Sequence, residues 1–257
     1  MTEREREEFE QVIAEGRALQ RHLPWLDMVA VGGTAAALHA HHRYSLDTDH
    51  VTPLLRRQYE LVKEELRTWE GWHLKRERRP FVLLGERHGV DLGIRQLRRV
   101  ISLERETVGD LVIPTAEETL RIKAFLCTDR QALRDYLDLA ALTDTVGDEG
   151  ALQALRFLNV LYPGSGNQTC ITRLAEVTSQ EPVDLDQHDL RTYRGIQAPY
   201  DDWRYIESRC RDLARRLLVL ELEGEVATDV EEFLATADAQ DLRQQGDQIQ
   251  GNGIGPR

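Results

Sequence analysis

Apolar positions recur at helical steps through residues 4–22, where Phe9, Val12, Ile13, Ala18 and Leu19 form one stripe and predict an amphipathic helix. The run "LDMVAV" (26–31) is short, contains β-branched residues and stops at Gly32-Gly33, which fits a buried strand ending in a tight turn. "TAAALHA" (34–40) restarts as helix with Thr34 at its N-cap. "SLDTDHV" alternates with period two and predicts a second strand, and Leu55, Tyr59, Val62 and Leu66 then share a helical stripe. Between 72 and 113 the texture changes. Short runs ("WHLKRERR", "PFVLLGE", "GVDLGIRQL", "ETVGDLVIP") separated by Gly, Pro and charged turns predict strands completing a mixed sheet. Thr115 and Glu118 have capping-box spacing, and from 116 to about 237 the pattern is helical apart from 162–169 and 179–202. The order predicts an α+β (α/β) fold: a small mixed-sheet core flanked by helices over residues 1–113, then a helical domain over 114–240. Residues 241–257 carry no apolar stripe and read as a flexible tail.

Composition narrows the class. The chain is 41% hydrophobic, enough for a core, and a net charge of −12 argues against a chain-wide nucleic-acid surface. Residues 75–99 reverse the sign locally: Lys75, Arg76, Arg78, Arg79, Arg87, Arg95, Arg98 and Arg99 face only Glu77, Glu86 and Asp91. This segment is either an RNA-backbone surface or a set of strand faces paired with surrounding acids. Cys127, Cys170 and Cys210 are scattered with no CxxC, which fits a reducing compartment. The charged start "MTEREREEFEQV" and the absence of an apolar run of about 18 residues lead to the expectation of a cytoplasmic protein without a membrane segment.

The chemistry centres on Asp47 and Asp49. On a strand, residues i and i+2 share a face, so the two carboxylates emerge side by side, a little under ~7 Å apart. They repel unless a cation lies between them, and Mg²⁺ or Mn²⁺ takes such oxygen ligands together with substrate phosphates. Asp91 joins them if its strand lies beside theirs, and a trio suits two-metal chemistry. Gly32, Gly33 and Thr34 form a strand–turn–helix start that brings backbone N–H groups to an anion. Arg43 and Ser45, just before the acidic strand, are further phosphate or carboxylate partners. "HAHHR" (39–43) offers three histidines, but positions i, i+2 and i+3 of a helix do not converge, so they close the helix rather than bind zinc. Lys123 sits at the edge of an apolar helix stripe and needs an anionic partner, either a triphosphate or Asp138. The plain reading of Asp138 is an i,i+4 ion pair with Arg134.

"GGTAAALHAHHRYSLDTD" resembles the glycine-turn and DxD signature of the DNA polymerase β-like nucleotidyltransferases. "LRIKAFLCTDRQALRDYLDLAAL" (120–142) is similar to the second motif of the AbiEii-type toxins, which include the MenT-like enzymes. The resemblance covers roughly residues 26–145. It implies a nucleotidyltransferase core with Mg-dependent transfer of a nucleoside monophosphate from an NTP to an acceptor, typically the 3′ end of tRNA, by a toxin-like enzyme neutralised by an antitoxin partner. On this pattern Gly33 and Thr34 match the phosphate turn, Asp47 and Asp49 the metal pair, Lys123 the second-motif lysine and Asp138 its acid, with Asp135 as the alternative. Thr48 and His50 depart from it, because relatives carry apolar residues there. Two other readings stay open: an antibiotic-type, small-molecule nucleotidyltransferase, and a catalytically inactive nucleotide- or RNA-binding regulatory module.

Overall fold

The structure is a computed structural model that describes residues 2–164 and 167–236; the expected tail at 241–257 and the last residues of the expected helical domain lie outside them. Helix α1 (Glu3–His22) is opened by Thr2, whose hydroxyl accepts from Glu5 N–H in a full capping box. A short 3₁₀ turn at Pro24–Leu26 and a left-handed Asp27 follow, so strand β1 is only Val29–Val31, shorter than the apolar run predicts. Proline and αL geometry use up the first half of that run.

Helix α2 (Gly32–Ala40) begins directly on the glycines, with Val31 as N-cap. Thr34 is therefore not the N-cap. It lies inside the helix, and its buried hydroxyl donates to the Asp47 carbonyl at 2.6 Å. Strand β2 (Asp47–Thr52), helix α3 (Leu55–Thr68), strands β3 (Trp72–Arg78), β4 (Val82–Arg87) and β5 (Val90–Gln96), and a β6–β7 hairpin (Arg105–Val108, Leu111–Pro114) complete the first half. The main sheet runs β1-β2-β5-β4-β3; β2 and β5 are parallel and the other pairs antiparallel. The fold class expected from the sequence, a mixed sheet flanked by helices, is the one observed.

Strand periodicity divides the sheet into two faces. Leu83, Leu92 and Ile94 point to one side and pack with Phe9, Val12 and Leu19 of α1 and Tyr59, Val62 and Leu66 of α3. Each such fully buried aliphatic side chain stabilises by about 1.5–3 kcal/mol relative to exposure. The opposite face carries Asp47, Asp49, Asp91 and Arg95 and is left open.

Helices α4 (Ala116–Arg130), α5 (Leu133–Val146), α6 (Asp148–Leu155), α7 (Leu158–Leu161), α8 (Cys170–Val177), α9 (Trp203–Leu222) and α10 (Val230–Leu234) build a second core around Leu120, Leu137, Leu155, Leu174 and Leu213. Helix α2 joins the two cores: Ala36 packs into the helical core and Ala37 into the sheet core. Its small side chains allow close approach on both sides. The capping box at α4 is half formed, since Thr115 accepts from Glu118 N–H at 3.2 Å. The Glu118 carboxylate is instead buried against Arg99 and Arg121, whose full charges hold it more strongly than a single N–H.

Candidate nucleotide-binding cleft

β2 and β5 place Asp47 directly opposite Asp91, and Asp49 opposite Gly93. The three carboxylates therefore share one sheet face, as the two-residue period requires. They border a cleft of about 690 Å³ that Gly32 and Gly33 also line. Gly32 has φ +77°, a conformation that side-chain-bearing residues rarely adopt. At Gly33 an added Cβ would lie 2.7 Å from Arg43 Nη2 and 2.9 Å from Ser45 Oγ, so the turn stays bare because a guanidinium and a hydroxyl pack against it.

The carboxylates are not left uncompensated. Ser45 Oγ donates to Asp47 Oδ1 at 2.9 Å, Arg95 Nε to Asp49 Oδ1 at 3.0 Å, and Lys75 bridges Asp91 and Glu86. Arg95 offsets part of the charge of Asp49 and Lys75 part of that of Asp91, so repulsion across this face is reduced. Each side chain is turned to its own partner. Among the described residues, no three His, Cys, Asp or Glu side chains converge as a metal-binding group. The donor set nevertheless fits Mg²⁺ or Mn²⁺ in kind: hard carboxylate oxygens on one face beside a bare glycine turn at a helix N-terminus. Gly93 supplies the room, since a Cβ there would collide with Asp49 Oδ1.

Behind the cleft lies a buried ion network. Asp138 is fully buried and does not line the cleft. It accepts from Arg43 Nε at 2.8 Å and Nη2 at 3.0 Å, from His42 Nε2 at 2.8 Å, and from Lys123 Nζ at 2.6 Å. Arg134, the partner expected from helical spacing, is exposed and takes no part. Burial works to raise the Asp138 carboxyl, but Arg43, Lys123 and His42 outweigh it and hold it well below the usual carboxylate range. Buried away from the cleft and held by three basic side chains, Asp138, the residue that matches the second motif's acid, is placed to position Arg43 and Lys123 rather than to take a proton from an acceptor hydroxyl. Asp135 is no freer: it is buried against Lys123 at 3.0 Å and Arg130 at 2.6 Å.

Burial likewise works to lower Lys123 and Arg43, yet their carboxylate partners, Asp138 foremost, leave both raised and therefore cationic. Both line the cleft. Thr34, expected to donate to phosphate, is buried and spent on Asp47; Ser45 and Arg43 do reach the cleft. The three histidines diverge as their spacing predicts. His39 meets the Pro114 carbonyl, His41 closes α2 in the left-handed region, and His42 is buried on Asp138.

Sequence reasoning did not anticipate Gly93, Arg95, Arg130 or the far wall of the cleft, formed by Asp184, His188, Thr192, Tyr193 and Arg194. A glycine inside the strand "VDLGI" was the available signal for Gly93. The far wall comes from a polar loop that has no periodicity to read. In the basic segment, Lys75, Arg79, Arg87, Arg95, Arg98 and Arg99 are all ion-paired, whereas Arg76 and Arg78 on β3 are exposed without an ion pair among the described residues. No helix among the described residues is long and apolar enough to cross a membrane.

Comparison with known proteins places this geometry in a class of fold. The crystal structure of JHP933 from Helicobacter pylori superposes with a TM-score of 0.52 at 18% identity, covering 87% of this chain and 97% of that one. A second H. pylori structure, of a protein assigned provisionally as a nucleotidyltransferase, superposes at 0.51 and 18% identity over 89% of this chain and 100% of that one. The chain thus has the nucleotidyltransferase-like fold. By sequence, no family model matches. A stretch of 115 residues is 33% identical to the heme uptake protein MmpL11 of Mycobacterium tuberculosis, covering 42% of this chain. The chain spans only 11% of the length of that relative, so the match concerns a short segment.

Proposed function

We propose that the protein transfers a nucleoside monophosphate from an NTP to a hydroxyl of an anionic acceptor, an RNA 3′ end such as that of tRNA. The observation that carries this reading is one sheet face bearing Asp47, Asp49 and Asp91 beside the Gly32-Gly33 turn, opposite a wall of cations. Asp47 and Asp49, with Asp91, would hold a divalent cation, which supplies charge neutralisation at the reacting phosphate when bound. The glycine turn and α2 N-terminus receive phosphate oxygens. Arg43, Lys123 and Arg130 offset triphosphate charge from the other side, and Asp138 and Asp135 keep Arg43, Lys123 and Arg130 in place. The acceptor hydroxyl oxygen attacks the α-phosphorus in line and releases its proton to solvent, the bond to the bridging oxygen breaks, and pyrophosphate leaves with that electron pair. The rate gain rests on positioning and fixed charges.

Exposed Arg134 at the rim, with Arg194 there too and sharing its charge with Glu8, favours a polyanionic acceptor over a polycationic antibiotic. The toxin-like role and a cognate antitoxin follow from the motif resemblance and belong to this proposal. Incubating the protein with each α-labelled NTP, Mg²⁺ and total RNA tests it: label is expected on RNA. Asp49→Asn is expected to keep the native circular dichroism spectrum and lose the transfer. Full transfer by that variant would defeat the reading, and calorimetry showing Mg-NTP binding without any transfer would favour the inactive regulatory module.

A further inference from the structure

The loop between α8 and α9 is fastened at both ends across the cleft. At one end, Val183 N–H donates to the Gln131 carbonyl and the Asp184 carboxylate accepts from Leu133 N–H at 2.7 Å, capping α5, whose own N-cap residue Ala132 makes no side-chain bond. At the other, Tyr44 N–H donates to the Arg194 carbonyl at 2.7 Å and Gln197 N–H to the His42 carbonyl at 2.8 Å. Gly195 is bare because Tyr44 packs against it: an added Cβ there would lie 2.5 Å from the Tyr44 ring. The span between the ties is thus a fixed strap, and it presents the Tyr193 ring, together with the smaller His188 imidazole, to the cleft.

Tyr193 is half-buried, and the Arg43 guanidinium lies over its ring at 5.7 Å from the centroid. The same guanidinium packs against Gly33, beside which Ser45 Oγ also lies. The ring therefore stands one guanidinium away from the phosphate turn, close to the reach of a ribose. Its cation contact and its exposure into the cleft suit a planar π-system, and every nucleobase offers one. We propose that Tyr193 is the stacking platform for the base of the incoming nucleotide, with Thr192 and His188 beside it at the base edge. This inference rests on the nucleotide-transfer reading above.

The test uses the full chain, Mg²⁺, and calorimetric titration with each of the four NTPs and with inorganic tripolyphosphate. Tyr193→Ala is expected to weaken NTP binding about tenfold and to leave tripolyphosphate binding unchanged, because only the stacking contribution is lost. Tyr193→Trp is expected to restore NTP binding. If the alanine variant weakens both ligands alike, Tyr193 serves only to hold Arg43, and the platform is overturned while phosphate binding stands. Equal affinity of the wild type for NTP and tripolyphosphate overturns it too. A wild type that binds neither ligand overturns this inference together with the reading beneath it.

Discussion

At Gly93 a single methyl group would occupy the space into which the Asp49 carboxylate leans. Gly93→Ala is therefore expected to leave the fold intact but swing Asp49 away from Asp47. A displacement of that size at a reacting centre costs on the order of 100-fold in rate. Mn²⁺ titration of the folded variant, beside its turnover, checks this: unaltered cation affinity and rate would show that the glycine is incidental. Thr34 illustrates the opposite outcome. A threonine at a helix start reads as a cap or a phosphate donor, yet its hydroxyl fixes the β2 backbone under Asp47. The side chain positions the acidic strand from below.

Between elements, the ion network of His42, Arg43, Lys123, Asp135 and Asp138 fastens the α2–β2 loop to α4 and α5. Two of its cations depend on one carboxylate. Asp138→Ala would leave Arg43 and Lys123 buried with less compensation, and breaking such a buried pair costs about 3–5 kcal/mol. Urea unfolding is expected to show a loss of that size, accompanied by weaker triphosphate binding as Arg43 and Lys123 lose their positions. A loss within experimental error would mean that Asp135 sustains Lys123 and that Arg43 is tolerated without its carboxylate. Legibility at this scale was uneven. The helices and the two strands carrying Asp47, Asp49 and Asp91 were readable because amphipathic periodicity is local. Of the partners of Asp138, Lys123 was among the readable alternatives, but Arg43 was not, because it lies 95 positions away along the chain and the nearer Arg134 satisfies the helical spacing without meeting the carboxylate.

For the whole molecule, buried groups beneath the acidic face are expected to set the acid stability. His50 is fully buried behind Asp49, beside the backbones of Gly16 and Gly93, and neither ring nitrogen makes a hydrogen bond of good geometry. Burial lowers its pKa from 6.5 to about 4. The unfolded chain thus binds a proton that the folded chain refuses, so stability is full above pH 6.5, declines as pH falls toward 4, and levels off below. The gap corresponds to about 3 kcal/mol. His42, also lowered by burial, acts in the same direction. Asp138, depressed by its cations, adds a further loss only below its unfolded value of 3.8. His50→Phe is expected to flatten much of the slope between pH 6.5 and 4 in chemical denaturation; an unchanged slope would place the acid sensitivity elsewhere.

The chain by itself determined the alternation that puts Asp47 and Asp49 on one strand face, the glycines that end β1, and the helical stripes of α1, α3 and α4, since each depends on neighbours within a few residues. Only the tertiary structure decided that Asp91 stands opposite Asp47, that Arg95 and Lys75 share the acidic charge, and that Asp138 is buried beneath Arg43. It also decided that a loop without periodicity supplies the far wall of the cleft. Electrostatic partners and cleft walls are chosen by proximity in space, and strand order and loop anchoring create that proximity only once the two cores have packed.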